Sequence, residues 1–261
     1  MIRLAVLIPV YNGQRELEKS LNSLEPIDGV FVEVVVVDDG SREPLIGRGV
    51  PEGVTLKLIR LAKNQGIVSA LNTGLEYIVA QNFDFIARLD AGDVNINSRI
   101  NKQINFLVKH SNIALLGSYV DFVNEAGAVV FSQRPPQSHR ELSKAMYSNN
   151  CFCHPAVMFR VCALEKIGFY SSNYPRAEDY EIFWRFVKKY ETATIPETLL
   201  LSEAGIGGIS RKNRKEQLLT RLKIQRENFQ VSHLASWIGL VKTSILLFLP
   251  LTLIEAIKGL K

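Results

Sequence analysis

A chain of 261 residues with 47% hydrophobic and 22% charged residues is long enough to bury a large core, which excludes a disordered or fibrous protein. Residues 1–210 carry 21 Lys and Arg against 23 Asp and Glu, whereas residues 211–261 carry 10 against 3, so the net charge of +5 comes from the C-terminus. This distribution argues against a nucleic-acid-binding protein and favours a basic tail that meets anionic lipid or phosphate.

The first half alternates short apolar runs with helical patterns. The runs at Leu4–Val10, Val32–Val37, Val54–Leu61 and Phe83–Leu89 have the length of strands, and the first two are rich in β-branched residues. Apolar residues at helical spacing lie between and after them, at Leu17, Leu21 and Leu24, at Ile67, Ala70, Leu71, Leu75 and Ile78, and at Ile100, Ile104 and Leu107. This alternation predicts a largely parallel sheet covered by helices on both faces.

Polar motifs follow these strands, at the sheet edge where such folds bind ligands. Asp90 and Asp93 follow the fourth run, and paired carboxylates there suggest a Mg²⁺ or Mn²⁺ site that receives a phosphorylated substrate. The alternative is a solvated turn with Asp93 as a cap before a helix that begins near Ser98. Asp38 and Asp39 similarly suit either a nucleoside contact or a capped turn. A dinucleotide oxidoreductase is disfavoured because no G-x-G-x-x-G follows the first strand.

The second half is less regular. Residues Ile113–Val123 and Val129–Ser132 flank a turn and predict a hairpin. A short helix is expected around residues 138–148, a strand near Ala156–Phe159, and a helix that opens at Glu178-Asp179. The three cysteines suggest reduced thiols in the cytosol, and their spacing does not support structural zinc. The N-terminal run is too short for a signal peptide.

Taken in order, these blocks resemble the family 2 glycosyltransferases, bacterial enzymes with the GT-A fold that build surface polysaccharides. The resemblance covers roughly residues 3–210. The blocks are Ile8-Pro-Val-Tyr-Asn12, Val37-Asp-Asp-Gly-Ser41, Lys63-Asn-Gln-Gly66 with Ala70-Leu-Asn-Thr-Gly-Leu75, Arg88-Leu-Asp-Ala-Gly-Asp93, Cys153-His-Pro-Ala-Val-Met-Phe-Arg160 and Ala177-Glu-Asp-Tyr-Glu181. The resemblance implies a mostly parallel central sheet with a Rossmann-like nucleotide half, an acceptor half, and a C-terminal helical tail.

The resemblance also implies roles for individual residues on the donor side. Pro9, Tyr11 and Asp39 would hold a uridine or thymidine base. Lys63 and Gly66 would line the nucleotide pocket, and Arg88 and Asp90 would contact the nucleotide-sugar. Asp93 would coordinate the Mn²⁺ or Mg²⁺ ion that bridges the diphosphate and neutralises the leaving group.

On the acceptor side, Asp179 is the favoured general base and Glu178 the alternative, while His154 would line the acceptor subsite. Attack by the acceptor hydroxyl on the anomeric carbon would then invert its configuration. Without the resemblance, Glu178 and Asp179 could equally be a pair stabilised by a helix dipole, and His154 a core residue.

The chain departs from the family pattern twice. Many relatives read Asp-Ala-Asp-Asp where this chain has Gly92 before Asp93, which predicts a modest metal affinity. Relatives also often carry a Tyr-Arg-x-His segment after the base. Here Ser202–Ser210 lacks that basic contact to the diphosphate, and Arg211, Lys212 or Arg214 could replace it.

The C-terminal extension, residues 211–261, combines basic and apolar residues. Seven basic residues and one acid occupy Arg211–Arg226, and Leu234–Leu260 is mostly apolar but interrupted by Lys242 and Pro250. The uncharged run Thr243–Ile254 is shorter than the roughly 20 residues of a membrane span. We therefore expect a cytoplasmic protein whose tail lies on the inner membrane surface, with Trp237, Leu246, Leu247 and Phe248 entering the acyl boundary, near a lipid-linked saccharide acceptor. The alternative is a tail that packs on the protein or forms a dimer interface.

Two other functions remain open. A Mg²⁺-dependent phosphohydrolase or nucleotidyltransferase would also use carboxylates at strand ends, although neither a D-x-D-x-T motif nor a P-loop occurs. The second open function is a non-catalytic scaffold that binds nucleotide-sugar at the membrane.

Overall fold

The computed structural model describes residues 1–203 and 213–249, which form one nine-stranded sheet with helices packed on it. The strands are β1 Ile2–Val10, β2 Val30–Asp38, β3 Thr55–Arg60, β4 Phe85–Arg88, β5 Val94–Asn95, β6 Ile113–Val123, β7 Val129–Gln133, β8 Met158–Arg160 and β9 Glu191–Glu203. The helices are α1 Gln14–Leu21, α2 Ile67–Ala80, α3 Arg99–Lys109, α4 His139–Met146, α5 Val161–Ile167, α6 Glu178–Lys189, α7 Arg214–Glu227 and α8 Leu234–Phe248, with a 3₁₀ turn at His154–Ala156.

The N-terminal half of the sheet is parallel, in the order β3-β2-β1-β4. Its central strands are buried on both faces, which is why their sequences are continuous apolar runs. Alternate β1 side chains enter different cores: Leu4 and Ile8 join the cluster that includes α1 and α3, whereas Ala5 and Leu7 join the one that includes α2 and α6. The predicted strands and helices of this half are confirmed.

The remaining strands mix directions. Strand β8 is antiparallel to both β4 and β6, and β6 forms the predicted hairpin with β7. The 13-residue β9 runs parallel to β6 and pairs antiparallel with β5. The sequence reading did not predict β9, because Pro196 interrupts its pattern. That proline lies where the register with β6 shifts, between the pairs Ser118–Ile195 and Tyr119–Thr198.

Helices α7 and α8 pack against the rest of the described structure near the end of α4. A Cβ atom on Gly239 of α8 would lie 2.1 Å from the carbonyl oxygen of Tyr147, so only glycine permits this close approach. Trp237, Val241 and Phe248 remain exposed on α8. Among residues 1–203 and 213–249, no helix is both long and apolar enough to cross a bilayer. The expected boundary at residues 210 and 211 lies outside the described residues.

Candidate active site

The loops after the parallel strands surround a cleft of about 680 Å³. Seven of the predicted site residues line it: Pro9, Tyr11, Asp39, Gly66, Asp90, His154 and Glu178. Four others do not line it: Lys63, Arg88, Asp93 and Asp179. The cleft thus brings together side chains from both halves of the sequence. The contacts of the four other residues are described below.

Backbone groups hold Asp39 at the end of β2. Its Oδ1 accepts from the Gln65 amide at 2.7 Å and its Oδ2 from the Gly66 amide at 2.9 Å. The neighbouring Gly40 has a φ of +69°, and a Cβ atom there would lie 2.3 Å from the Lys63 carbonyl carbon. Lys63 itself is exposed and takes part through this backbone contact. Two loops are therefore locked together around one carboxylate.

The β1–α1 loop supplies the opposite wall. Tyr11 is 49% exposed and lines the cleft next to Pro9. Asn12 has a φ of +54°, and its amide donates to the Ser41 hydroxyl at 2.8 Å while its side-chain oxygen accepts from the Arg42 amide. These bonds tie the loop to the segment after β2, which fixes the position from which Tyr11 projects.

Arg88 lies beneath the cleft and is fully buried. Its guanidinium donates to the carbonyl oxygens of Leu7 and Leu89 and forms an ion pair with Asp90. Burying a guanidinium is tolerable only with such partners. Arg88 thus orients Asp90, which lines the cleft, and is not itself placed to touch a ligand there.

His154 is held by two donors. Arg88 Nε donates to His154 Nε2 at 3.3 Å, and the Tyr170 hydroxyl lies 2.7 Å from the same nitrogen. Because arginine can only donate, Nε2 accepts and the imidazole proton resides on Nδ1. Burial, and then the Arg88 charge, hold the pKa of His154 well below its usual value. The side chain is therefore a neutral group in the cleft wall.

Asp93 is 6% exposed and sits among charged groups. Burial, with the Asp90 charge, raises its pKa to about 7, opposed by a hydrogen bond from Ser202 and the charge of Arg99. Arg99, which sequence reasoning missed, is fully buried and donates to the carbonyl oxygens of Pro155 and Arg88. Its place in the first turn of α3 opposes the helix dipole, which was the available clue to a special role.

A divalent cation would take only part of its shell from this chain. The described residues hold no group of three His, Cys, Asp or Glu side chains able to enclose a metal ion. A carboxylate whose pKa is raised by burial and by a second acid nevertheless favours a nearby positive charge. Asp93 thus suits a cation whose other ligands come from a substrate.

Glu178 and Asp179 open α6 in different surroundings. Glu178 lines the cleft, and its Oε2 has no hydrogen-bond partner among the described residues. Burial, and then the Asp179 charge, raise its pKa to about 7. Asp179 Oδ2 accepts from Asn150 Nδ2 at 2.8 Å, and burial raises its pKa to about 6, with a further contribution from Asp90. Sequence reasoning missed Asn150, which lies outside every recognised block.

The segment expected to contact the diphosphate cannot be placed. Residues 204–212, which include Arg211 and Lys212, lie outside the described residues. Arg214 is described, and its guanidinium donates to the carbonyl oxygens of Leu246 and Leu249 at the end of α8. Arg214 therefore links the start of α7 to the end of α8.

Comparisons with known proteins agree with this architecture. The family model described as Glycosyl transferase family 2 matches residues 5–168. The amylovoran biosynthesis glycosyltransferase AmsE of Erwinia amylovora is 29% identical over 231 residues, which span 84% of this chain and 85% of that protein. The Escherichia coli UDP-Gal:alpha-D-GlcNAc-diphosphoundecaprenol beta-1,3-galactosyltransferase is 26% identical over 187 residues, or 69% of this chain and 66% of that protein.

Solved structures show the same fold. Staphylococcus aureus TarS 1-349 in complex with UDP-GlcNAc has a TM-score of 0.70 and 17% identity, with 93% of this chain and 72% of that chain covered. The mannosyltransferase PcManGT of Pyrobaculum calidifontis, in complex with GDP-Man and Mn²⁺, has a TM-score of 0.61 and 16% identity, with 94% and 69% covered. The expected GT-A fold is confirmed, and the chain belongs to glycosyltransferase family 2.

Proposed function

We propose that this glycosyltransferase transfers a sugar, with inversion, from a UDP- or dTDP-sugar to a hydroxyl of a lipid-linked saccharide in surface polysaccharide biosynthesis. The observation that carries the proposal is a single cleft that joins the nucleotide-side carboxylate Asp39 to the Glu178 end of α6. A family 2 relative acts, by its name, on a diphosphoundecaprenol-linked sugar, which supports an acceptor of that kind.

On the donor side, Asp39 would accept a hydrogen bond from the base. Its two oxygens already receive backbone amides, so the carboxylate is held before the ligand arrives and binding costs little ordering. Pro9 and Tyr11 would also hold the base, and Lys63 and Gly66 would line the nucleotide pocket. Asp90, held by Arg88, would contact the nucleotide-sugar.

Asp93 would hold the Mn²⁺ or Mg²⁺ ion together with diphosphate oxygens. Such an ion, when bound, neutralises charge on the departing nucleoside diphosphate. Its role is tested by titrating Mn²⁺ into the wild type and Asp93→Ala: the variant should remain folded and lose transfer. Full activity of Asp93→Ala would exclude this ligand.

On the acceptor side, Asp179 would take the proton of the attacking hydroxyl, with Glu178 as the alternative base. Each group has a pKa raised by burial to about 6 or 7, the range in which a general base is effective near neutral pH. Direct attack by that oxygen breaks the bond to the diphosphate and inverts the anomeric carbon. His154 would contact the acceptor as a neutral group.

The C-terminal helices would place the enzyme, as a cytoplasmic protein, on the inner membrane surface. Trp237, Val241, Ile245 and Phe248 are each about half exposed or more, so α8 presents apolar side chains outward. Basic residues of α7 would meet anionic headgroups. Sedimentation with vesicles containing anionic lipid, compared with neutral vesicles, tests this attachment.

The reaction is tested with the full chain and a panel of UDP-, dTDP- and GDP-sugars. Thermal shift with Mn²⁺ selects the donor, because a bound ligand raises the apparent stability. Transfer to undecaprenyl-diphosphate-linked saccharides is then followed by product NMR and by release of nucleoside diphosphate. Release of phosphate or pyrophosphate instead would indicate the phosphohydrolase or nucleotidyltransferase, and donor binding without turnover would indicate the scaffold.

A further inference from the structure

Asn150 lies between α4 and the 3₁₀ turn and makes two hydrogen bonds of opposite sense. Its Nδ2 donates to Asp179 Oδ2 at 2.8 Å, and its Oδ1 accepts from the Phe152 amide at 3.3 Å. Because a backbone amide can only donate, the side-chain oxygen must face Phe152 and the NH₂ group must face Asp179. The orientation of this amide is therefore fixed by the chain around it.

We infer that Asn150 is a positioning residue for the base Asp179, and that the two C-terminal helices hold it in place. The inference rests on the proposed function, in which Asp179 accepts the acceptor proton. The Tyr180 amide holds Asp179 Oδ1 at 2.7 Å, and the Asn150 donor on Oδ2 fixes the second oxygen, so the orientation of the whole carboxylate is set.

The neighbouring Asn149 connects this bond to the C-terminal extension. Its Oδ1 accepts from Arg221 Nη2 of α7 at 2.9 Å and from Lys242 Nζ of α8 at 2.8 Å. Arg221 also donates to the carbonyl oxygen of Ser148. Two cations from two helices thus fix the backbone immediately before Asn150. The extension contributes to the geometry of the catalytic base as well as to any membrane contact.

Asn150 also affects the charge state of Asp179. Hydrogen bonds from Asn150 and from the Tyr180 amide favour the ionised carboxylate, whereas burial and the charge of Asp90 favour the neutral acid. Other titratable groups that interact with Asp179 are Glu178 on the same helix, Arg221 on α7, Cys153 and Tyr170. Loss of the Asn150 donor should raise the pKa of the base.

The test compares wild type with Asn150→Ala and Asn150→Asp. We expect kcat to fall at least tenfold in Asn150→Ala, with the donor KM within twofold of wild type and the acidic limb of the pH–rate profile about one pH unit higher. Asn150→Asp places a second carboxylate beside Asp179 and should move that limb further. A role in folding alone would not produce this order. Asn105→Ala, an exposed asparagine on α3, is the matched control.

Lys242→Met tests the link to the C-terminal helices, with the exposed Lys109→Met as its control. We expect a two- to fivefold fall in kcat with a soluble acceptor and no vesicles, so that membrane binding does not contribute. Unchanged kcat and pH profile in both Asn150 variants, at unchanged thermal stability, would overturn the inference. Failure of the wild type to transfer sugar would instead overturn the proposed function, and full activity of Asp179→Asn would overturn the inference alone, because Asp179 would then not be the base.

Discussion

The two sides of the cleft hold their carboxylates in different ways. On the nucleotide side, Asp39 is fixed by two backbone amides at the end of a parallel strand. On the α6 side, Glu178 has an oxygen without a partner among the described residues, and Asp179 accepts one bond from the Tyr180 amide and one from the Asn150 side chain. Two backbone donors from a neighbouring loop give a rigid binding group, whereas burial raises the pKa of both α6 carboxylates, so that they take up a proton readily. The first suits recognition and the second suits proton transfer.

The largest effect on kcat should come from replacing Asp179, the proposed general base. We expect Asp179→Asn to lower kcat by a factor of about 10²–10⁴, because proton transfer is lost while nucleotide contacts remain. Donor affinity, measured by titration calorimetry with the nucleoside diphosphate, should stay within threefold of wild type. The exposed Asp28→Asn is the matched control. If Asp179→Asn keeps its activity and Glu178→Gln loses it, Glu178 is the base.

The pH dependence should identify the same group. A general base must be ionised, so the rate should fall as the pH drops through the pKa of the base. That pKa is about 6 for Asp179 and about 7 for Glu178. We therefore expect an acidic limb near pH 6 in the kcat profile of the wild type. An activity that is flat from pH 5 to 8 would contradict the contrast between the two sides.

Removing the rigid carboxylate should affect binding first. Asp39→Ala leaves the amides of Gln65 and Gly66 without their acceptor and removes the proposed contact to the nucleobase. We expect the donor KM to rise about 10–100-fold, equivalent to about 1.4–2.8 kcal/mol, with a smaller change in kcat. Steady-state kinetics at varied donor concentration measure both values. A fall in kcat with unchanged KM would place Asp39 in the chemistry instead.

Burial of the Glu178 carboxyl should lower the free energy of unfolding at neutral and alkaline pH. The raised pKa of Glu178 means that the folded state binds a proton more tightly than the unfolded chain. This group therefore lowers stability as the pH rises from about 4.5 to 7, and the loss is complete above pH 7. Glu178→Gln should be more stable than wild type at pH 8 by about 2–3 kcal/mol and equal to it at pH 4. Urea unfolding at both pH values tests this sign.

The smallest effect concerns Gly92. Its φ of +100° suits glycine, and a Cβ atom there would meet nothing closer than Glu16 at 3.7 Å. Aspartate tolerates positive φ better than most residues, so we expect Gly92→Asp to fold with some loss of stability and to supply the acid that the family pattern has at this position. We expect Mn²⁺ to bind a few times more tightly in the variant, as measured by the metal dependence of transfer. Gly92→Asn, which adds the shape without the charge, is the control.

Sequence patterns predicted the parallel half well because β1, β2 and β4 are buried on both faces and the loops carry distinctive polar motifs. The paired acids after β4 were found because carboxylates next to an apolar run are unusual. The pair at α6 was assigned a role by the family resemblance. Asn150, Tyr170 and Arg99 were missed because their roles depend on partners distant in the chain, such as Asp179 and His154. Strand β9 was missed because its pairing with β6 and β5, and not its own periodicity, makes it a strand.

Strand β9 limits where residues can be inserted into this protein or deleted from it. Only Tyr190 separates the end of α6 from the start of β9, and β9 then runs to the partner of β5, directly after Asp93. An insertion or deletion within this strand would shift its register and turn Ser202 away from Asp93. The turn at residues 124–128 has no such connection and tolerates length changes better. Engineering of new acceptor loops should therefore begin at the hairpin and leave residues 190–202 at their present length.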